Sequence, residues 1–572
     1  FSFAWWVEHF ASIPIHFTCG LYLALLENYG CMCRENKILC NGLSDFPTAV
    51  PSSTTTLYIS NCNIYSLKPE DLTDFANALG IFVVKDTVLR EVRPGTFDST
   101  LNLGALGFTG TELQDLPEAL FQNLPKLESL TLSSNRLLVL RPNWLSPLSA
   151  LKVLDLSKNH FTSIPVETFH PLTELQYLML AGNNISQLSR DTFKDLSKLK
   201  TLRLNKNSLR EIPLGTLDDL VNLEELSLHN NLITHIHPDL FSKTQKLQKL
   251  YLSHNRLASL SKGVFLNLPN LSQISLYENQ LESLSPGVFG PMPLDQLWLY
   301  DNKLSRVEDD TFRNLTQLRL LVLSRNQISH VSKGAFRGLE QLGEVSLHTN
   351  LLTTLEDGTF QGLPSLVNIS LEHNFISSLP SGFIQGVNHL GQIDLRNNSL
   401  PNLPQEVLDA LTVAKEVLLQ QNPWRCDQDI LPLRDWLMQY PSRANHSLVV
   451  CDTPFNLKGE VISLLSDEHL IPPMSTDEPA VTPTEKRRKP HTPPPRRSTS
   501  SPAVIVTPTT EQGGDTNSGQ GEEGLISRDT SIIIIAVVCT VIISSLIVCC
   551  VCWRRNKRDN RNIGRRNKNS VL

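Results

Sequence analysis

The sequence lacks the residue patterns by which most enzymes are recognised. Its 572 residues contain no Ser-His-Asp order, no metal-ligand spacing and no glycine-rich phosphate loop. Asp301 and Asp309 fall at surface positions and not in a cleft, and most histidines occupy variable positions. We therefore expect a non-catalytic binding protein that needs no cofactor or metal and has no small-molecule substrate.

Charge is absent from one long stretch near the C-terminus. Residues 531–553 read SIIIIAVVCTVIISSLIVCCVCW, which is long enough to span a bilayer as a helix. Eight basic residues and one acid follow in 554–572, and a basic flank marks the cytoplasmic side. This position argues against nucleic acid as the partner of the basic tail. We expect a single-pass type I plasma-membrane protein with an extracellular N-terminus.

Lysine and arginine are also missing from residues 1–26, so this segment has no charged region of a secretory signal. It is interpreted as a degenerate or truncated signal region. Residues 471–530 are rich in Pro, Thr and Ser, which predicts a disordered, O-glycosylated stalk. Its basic cluster EKRRKPHTPPPRR has three interpretations, namely a solvated linker, a glycosaminoglycan contact and a cleavage point for shedding.

Cysteine is scarce, with 11 residues in the chain. Four lie in or beside the apolar span, and three of them, Cys549, Cys550 and Cys552, are candidates for palmitoylation at the inner leaflet. The alternative is that they are plain small apolar residues. The other seven lie in the predicted extracellular part, where disulfides persist.

A repeat of about 24 residues organises most of the chain. LESLTLSSNRL begins at Leu127, LKVLDLSKNHF at Leu151 and LQYLMLAGNNI at Leu175, and about sixteen copies fill residues 54–421. This is the leucine-rich repeat pattern L-x-x-L-x-L-x-x-N-x-L. It predicts an α/β solenoid, a horseshoe with a parallel sheet on its concave face, in which each coil is stabilised by its neighbours.

Each repeat position has a physical role. The leucines point inward, and the asparagine amide satisfies backbone groups where the chain leaves the strand. Cys62 replaces that asparagine in an early copy, which predicts a buried free thiol. A continuous spine of phenylalanines is expected in the convex half: Phe121, Phe169, Phe193, Phe241, Phe265, Phe289, Phe312, Phe336 and Phe360.

Large aromatic residues interrupt the polar positions that flank the strand leucines. Side chains alternate along a strand, so these positions face the concave surface. The copy LDQLWLYDNKL, which begins at Leu294 and arrives one residue early, contributes two of them. Tyr, Trp and Met are enriched in interface cores. The candidate ligand-binding residues are Tyr177, Met179, Tyr251, Tyr277, Trp298 and Tyr300, and the alternative is that the aromatics only cover the sheet.

Asn-x-Ser/Thr sequons predict N-glycosylation. They lie at Asn184, Asn270, Asn314, Asn368, Asn397 and Asn445. Asn368 is expected on a strand and thus on the concave face, where a glycan would confine ligands to the aromatic region.

Both ends of the array resemble the disulfide-bonded caps of extracellular leucine-rich repeat proteins. In CMCRENKILC, within residues 27–53, the cap pattern implies a Cys31–Cys40 bridge. Its first cysteine is absent at Glu27; either Cys19 substitutes as the partner of Cys33, or the true segment is missing. In 422–470, NPWRCDQDILPLRDWL resembles the C-terminal cap with one bridge lost, which leaves Cys426–Cys451.

The motifs GPMP, LWLYDN, LSRNQIS and SLHTN, together with the C-terminal cap, resemble a family of type I membrane leucine-rich repeat proteins that includes platelet glycoproteins. The resemblance implies binding to extracellular matrix proteins (collagen, fibronectin and laminin) and a role in adhesion and migration. The alternative is a subunit of a multi-chain cell-surface receptor complex. A Toll-type signalling receptor is disfavoured because the cytoplasmic tail is short.

The chain ends in NSVL, with Ser570 two residues before Leu572. A hydroxyl at this place and an apolar C-terminus suit a PDZ domain, which takes such a peptide as an added strand. The preceding basic residues are expected to hold the tail against anionic lipid.

Overall fold

The computed structural model describes residues 30–48, 50–444 and 448–471. This part of the chain is a solenoid in which each copy of the repeat supplies one short strand. Its strands are β1 (Cys31–Arg34), β2 (Lys37–Asn41), β3 (Thr56–Ser60), β4 (Ser66–Leu67), β5 (Ile81–Lys85), β6 (Glu91–Val92), β7 (Ala105–Thr109), β8 (Ser129–Thr131), β9 (Val153–Asp155), β10 (Tyr177–Met179), β11 (Thr201–Arg203), β12 (Glu225–Ser227), β13 (Lys249–Tyr251), β14 (Gln273–Ser275), β15 (Gln296–Trp298), β16 (Arg306–Val307), β17 (Leu320–Val322), β18 (His330–Val331), β19 (Glu344–Ser346), β20 (Asn368–Ser370), β21 (Gln392–Asp394) and β22 (Glu416–Leu418).

Sixteen strands come from the predicted copies and pair in parallel, each with the next copy, from β3 to β22. They make about fifteen turns. The antiparallel hairpin of β1 and β2 joins the sheet through β3. Strands β4 and β6 form a separate pair, as do β16 and β18. The predicted parallel sheet is therefore confirmed.

The helices are short and lie mostly at the C-terminal end. They are α1 (Pro69–Leu72), α2 (Pro142–Leu145), α3 (Gln405–Leu411), α4 (Leu431–Gln439) and α5 (Asp467–Leu470), with 3-10 turns at Gln428–Ile430, Phe455–Leu457 and Ile462–Leu464. Most convex segments contain turns without helix, which is why each coil needs only about 24 residues.

The core is one continuous stack of inward-facing side chains. Leu130 and Leu132 are fully buried, as are their counterparts in the following copies. Because every strand has the same register, each leucine packs on the equivalent residue of its neighbour. Nearest-neighbour packing of this kind is what stabilises solenoids.

The repeat asparagines form the ladder that the sequence predicts. Asn135 Nδ2 donates to the carbonyl of Phe108 in the preceding turn at 2.8 Å and to Leu132 in its own turn at 2.9 Å. Asn135 Oδ1 accepts from the backbone N–H of Thr111 at 3.0 Å. Cys62 takes the place of the asparagine in a copy near the N-terminus and is a buried free thiol. Its sulfur accepts a hydrogen bond from the backbone N–H of Leu43 at 3.1 Å.

The phenylalanine spine is segmented, so its expected continuity is wrong. Phe169 and Phe193 stack at 6.2 Å between ring centroids, and Phe241, Phe265 and Phe289 stack at 6.1 and 5.8 Å. Leu217 occupies the equivalent place between the two groups and is buried. A branched aliphatic side chain fills the same space, so packing continues although the ring contacts stop.

The copy LDQLWLYDNKL, which arrives one residue early, follows a shortened convex turn. The pairing of its strand in the sheet is unchanged. Gln273 of β14 still lies opposite Gln296 of β15. The shortening brings Gly290 so close to Leu266 that a Cβ at this glycine would lie 3.0 Å from Leu266 Cα. Any larger residue would force Leu266 to shift, so glycine suits this close approach.

Two of the predicted cap disulfides join cysteines that the structure describes. Both are present, as Cys31–Cys40 and Cys426–Cys451. Cys19, the predicted partner of Cys33, lies outside the described residues. In the C-terminal cap Trp424 and Trp436 are buried against the last coil.

Within the described ranges, no helix is both long enough and apolar enough to cross a membrane. The predicted span 531–553, the stalk 471–530 beyond Ile471, the tail 554–572, the N-terminal segment 1–26 and Cys549, Cys550 and Cys552 lie outside the described residues.

Candidate ligand-binding face

The solvent-facing side of the parallel sheet, called the concave face below, carries two rows of variable side chains. The mid-strand row lies between the two strand leucines of each copy. Tyr251, Ser275 and Trp298 are consecutive members of this row, because β13, β14 and β15 pair in register. The second row follows the second leucine and includes Tyr277 and Tyr300.

Tyr277 and Tyr300 stack face to face. Their ring centroids are 4.5 Å apart and their planes differ by 8°. His254 meets the Tyr277 ring edge-on at 5.4 Å, and its Nδ1 lies 2.7 Å from Glu278 Oε2. Desolvation raises the pKa of Tyr300 to about 12, and the negative charges of Glu278 and Asp301 act in the same direction. Tyr300 is thus protonated at physiological pH, and a side-chain hydrogen bond with Tyr277 also favours its neutral form.

Tyr251 is held at the N-terminal edge of this group. Its hydroxyl donates to Gln273 Oε1 at 3.1 Å, and His229 meets its ring edge-on at 6.3 Å. His229 Nδ1 lies 2.9 Å from the Ser227 hydroxyl. The pKa of His229 is lowered to about 4, chiefly by burial and then by the positive charge of Lys206. The imidazole is thus neutral at physiological pH, which suits an apolar surface.

The sheet adds two apolar residues that our sequence reasoning missed. Leu320 and Val322 on β17 lie opposite Gln296 and Trp298 on β15. Both are half-buried, whereas the neighbouring leucines Leu321 and Leu323 are fully buried. Their signal was present in the copy LRLLVLSRNQI, where alternation along the strand sets Leu320 and Val322 outward. The run of four apolar residues from Leu320 to Leu323 concealed it.

These residues form one surface on four adjacent strands, β13, β14, β15 and β17, which we call the aromatic patch. It consists of Tyr251, Tyr277, Trp298, Tyr300, Leu320 and Val322.

Tyr177 and Met179, the other two predicted residues, lie on the concave face but outside this patch. They occupy β10, and β11 and β12 separate them from Tyr251. The intervening strands carry Arg203 and Glu225, whose side chains are 3.0 Å apart. The structure therefore brings four of the six predicted residues together.

A charged cluster follows the aromatic patch toward the C-terminus. Arg396 contacts both Asp394, at 2.5 Å, and Glu372, at 2.7 Å. Burial raises the pKa of Glu372, and its hydrogen bond to Asp394 adds to the effect. Burial opposes ionisation of Asp394, but hydrogen bonds from Arg396 outweigh it and lower the pKa. The cluster thus places one guanidinium between two carboxylates at this end of the concave face.

Asn368 begins β20 and lies on the sheet, as expected from its sequence position. Asn397 also lies near this end of the concave face, with Nδ2 3.4 Å from His373 Nε2. Asn184, Asn270 and Asn314 are exposed, whereas Asn445 lies outside the described residues. Glycosylation at these sequons remains a prediction.

Histidine, cysteine and acidic side chains form no group that could hold a metal ion in the described ranges.

Comparison with protein families gives matches to the leucine rich repeat at residues 102–161, 149–209, 197–257, 245–297, 293–352, 330–376 and 340–400. Together these segments span more than half of the chain. The chain belongs to the leucine-rich repeat family.

Its leucine-rich repeats are similar to parts of several named proteins. They are 33% identical over 159 residues to horse Toll-like receptor 9, covering 26% of this chain and 14% of the receptor. They are 39% identical over 64 residues to the human platelet glycoprotein Ib beta chain, covering 11% and 31%. Human leucine-rich repeat-containing protein 15 is 40% identical over 58 residues, covering 10% of each chain. The match spans less than a third of each relative.

Solved structures show the same fold. A leucine-rich repeat protein of Leptospira interrogans superposes with a TM-score of 0.53 at 26% identity, covering 61% of this chain and 88% of that one. The Drosophila Toll–Spatzle complex gives a TM-score of 0.59 at 22% identity, covering 76% and 71%.

A leucine-rich repeat scaffold of this kind presents a rigid, extended surface whose variable side chains can change without altering the core. Here that surface offers aromatic rings and hydroxyl donors beside a charged border. This arrangement can bind an extended macromolecule.

Proposed function

We propose that this leucine-rich repeat protein is a cell-surface receptor that binds extracellular matrix proteins through the aromatic patch and promotes cell-matrix adhesion and migration. The candidate ligands are collagen, fibronectin and laminin. The observation that carries the proposal is the patch itself, a group of half-exposed aromatic and aliphatic side chains on adjacent strands. Tyrosine and tryptophan dominate the centres of protein interfaces.

Two sequence features support an extracellular, membrane-anchored role. The caps are closed by disulfides, which persist outside the cell. The uncharged run 531–553 with its basic flank supplies the anchor. The motifs quoted above resemble leucine-rich repeat-containing protein 15, a relative that is 40% identical over the matched 58 residues. The tail would then lie at the inner leaflet, where a PDZ domain is the proposed partner of its C-terminus.

The test is binding of the full chain in detergent to surfaces coated with collagen, fibronectin or laminin. The double variant Trp298→Ala with Tyr277→Ala removes two neighbouring rings of the patch. We expect it to weaken binding to at least one matrix protein by about a hundredfold, since buried interface aromatics each contribute about 2 kcal/mol or more.

The matched control is Phe375→Ala. Phe375 is 56% exposed and lies outside the sheet, after β20, so its removal also deletes a surface aromatic. Binding should stay within about twofold of the wild-type value, which is a change of less than ~0.5 kcal/mol. If the double variant binds every matrix protein as the wild type does, the patch is not the binding site.

A second candidate function is that of a subunit in a multi-chain cell-surface receptor. The C-terminal cap favours it, because Phe455 is 94% exposed and Leu464 is 80% exposed. Apolar side chains exposed to this extent mark contact sites when they occur together. Co-purification from the cell surface with Phe455→Ser as the variant tests this function: a stoichiometric partner lost in the variant supports it, and its absence from the wild type contradicts it.

A further inference from the structure

The mid-strand row of the concave face has no charged residue over seven consecutive paired strands. Its members from β12 to β20 are Ser227, Tyr251, Ser275, Trp298, Val322, Ser346 and Ser370. Arg203 and Asp394 end the row, and both are engaged in ion pairs on the sheet. Paired strands are ~4.8 Å apart, so the uncharged row is roughly 29 Å long.

The row contains a notch at β14. Ser275 is only 4% exposed and forms the floor, while Tyr251 and Trp298 project on either side of it from the neighbouring strands. Two strand spacings separate the two aromatic residues, or roughly 9.6 Å. Tyr277 follows Ser275 on the same copy, and its ring stacks on Tyr300, so the stacked pair borders the notch along the strand direction.

This spacing matches one regular backbone conformation. A polyproline II helix has three residues per turn and a rise of ~3.1 Å, which gives a repeat of roughly 9.3 Å. A segment lying across the strands would thus present the same side of the helix to Tyr251 and again to Trp298. The pyrrolidine ring is compact and apolar, which suits a small recess between two aromatic side chains.

Hydrogen bonding points to the same ligand. The polyproline II backbone has no internal hydrogen bonds, so its carbonyls are free acceptors. The phenol of Tyr300 is protonated at physiological pH, as that of any ordinary tyrosine is, and the indole N–H of Trp298 is a donor. Donors beside an uncharged aromatic row suit a ligand that supplies acceptors and carries little charge.

We propose that the notch formed by Tyr251, Ser275 and Trp298 binds a proline-rich segment in polyproline II conformation that runs across the strands. The inference rests on the proposed function and names the part of a matrix protein that the patch recognises. The uncharged row accommodates about nine residues at this rise.

The experiment measures binding of the immobilised full chain to a peptide of nine prolines. A nine-residue Gly-Ser peptide is the control ligand, because it has the same length without the preset conformation. The wild type should bind the proline peptide at least tenfold more tightly, and Trp298→Ala or Tyr251→Ala should each weaken that binding by about tenfold or more.

Tyr177→Ala is the matched control variant. It removes a half-exposed tyrosine from the same concave face, on β10 outside the uncharged row. Its binding should equal that of the wild type. Ser275→Leu keeps every aromatic ring but fills the notch, so it should weaken binding of the proline peptide as Trp298→Ala does. Circular dichroism should confirm that this variant remains folded.

The possible failures can be told apart. Equal binding of the proline and Gly-Ser peptides overturns the inference, as does equal weakening in Tyr177→Ala. If Trp298→Ala weakens the binding of matrix proteins but the proline peptide does not bind the wild type, the proposed function stands and this inference is wrong. Binding of a neutral oligosaccharide such as maltoheptaose in place of the peptide overturns it in favour of sugar stacking.

Discussion

Each repeat asparagine holds two coils together with one side chain. Asn255 Oδ1 accepts from the backbone N–H of Ile233 at 3.0 Å. Its Nδ2 donates to the carbonyls of Leu228 and Leu252 at 3.0 and 3.1 Å. All these groups are buried, where an unpaired backbone group costs about 1–3 kcal/mol.

Asn255→Ala should therefore lower the free energy of unfolding by about 3 kcal/mol, since it leaves the Ile233 N–H unpaired and removes one hydrogen bond from each of two carbonyls. The carbonyls of Leu228 and Leu252 keep the bonds that Asn231 and Asn279 donate. Urea denaturation measures the loss, and hydrogen exchange at the Ile233 amide should accelerate with it. Asn205→Ala, at a half-exposed position, is the control and should change stability by less than about 0.5 kcal/mol. Equal effects from the two substitutions would contradict the role of the ladder.

His229 gives the molecule a pH dependence whose direction follows from its environment. Burial lowers its folded pKa from 6.5 to about 4, so the unfolded chain takes up a proton between these values while the folded chain does not. Stability from this residue is full above pH 6.5 and is lost as the pH falls toward 4. After discounting for partial exposure, the loss is about 1 kcal/mol.

Thermal unfolding at pH 7 and pH 4.5 tests this expectation. The fall in Tm between the two should be smaller in His229→Gln, whose amide keeps a hydrogen bond to Ser227 but does not titrate. An identical pH dependence in wild type and variant would assign the effect to other groups.

The residue-level features could be predicted to very different degrees. The asparagine ladder and the buried thiol of Cys62 follow directly from the repeat pattern, because each position has one role in every copy. Leu320 and Val322 were missed because residue type alone does not distinguish an outward-facing apolar residue from the core leucines beside it. The pKa of His229 depends on charged neighbours in the copies on either side of its own, which no single copy reveals.

Among the elements, the C-terminal cap closes the last coil with few long-range contacts. Its helix α4 packs on the array through Trp436, and Arg434 fixes its other side by donating to the carbonyl of Leu465 at 3.3 Å. The bridge between Cys426 and Cys451 holds both ends of the cap.

Cys426→Ser together with Cys451→Ser should lower the stability of the cap by about 2–5 kcal/mol. Because contacts in a solenoid are between neighbours, the loss should remain local. Hydrogen exchange should show α4 and β22 losing protection while β9 to β12 keep theirs. Loss of protection along the whole array would mean that the cap controls all the coils.

At this scale the sequence predicts strands well and convex segments poorly. Strand positions are fixed by the leucines, whereas the convex half varies in length and residue type. The segmented phenylalanine run and the shortened turn at Gly290 show this variation. A leucine such as Leu217 satisfies the same packing as a ring, so a strict repeat is not required.

For the whole molecule, the arrangement of sequons predicts where ligands can approach. Asn368 lies on β20, three paired strands beyond β15 of the aromatic patch. A glycan there would cover the C-terminal end of the concave face and leave the patch open.

Glycopeptide mapping of the secreted or surface-expressed chain should find Asn368 occupied. Asn368→Gln should then widen the accessible face without weakening matrix binding at the patch, and a glycan-specific lectin should bind the variant less. A bare Asn368 in the wild type would remove this restriction on ligands.

The fold could be anticipated as a whole because one local rule is repeated about sixteen times. The ligand could not be anticipated, because the residue types at the variable positions do not follow that rule. The four predicted aromatic residues on neighbouring copies and the two predicted residues that lie apart, Tyr177 and Met179, differ only in which copies carry them.

The asparagine ladder also has a direction. Each amide bonds to the coil that precedes it in the chain, as Asn159 does to Leu132 and Leu137, and Asn183 to Leu156 and Phe161. During synthesis the N-terminal coils emerge first. Each newly made copy therefore brings the group that completes the coil already in place, and the stack can grow in step with translation. A chain that is cut short leaves only its last coil unfinished, whereas a chain that has lost its beginning retains an amide with no coil to bind.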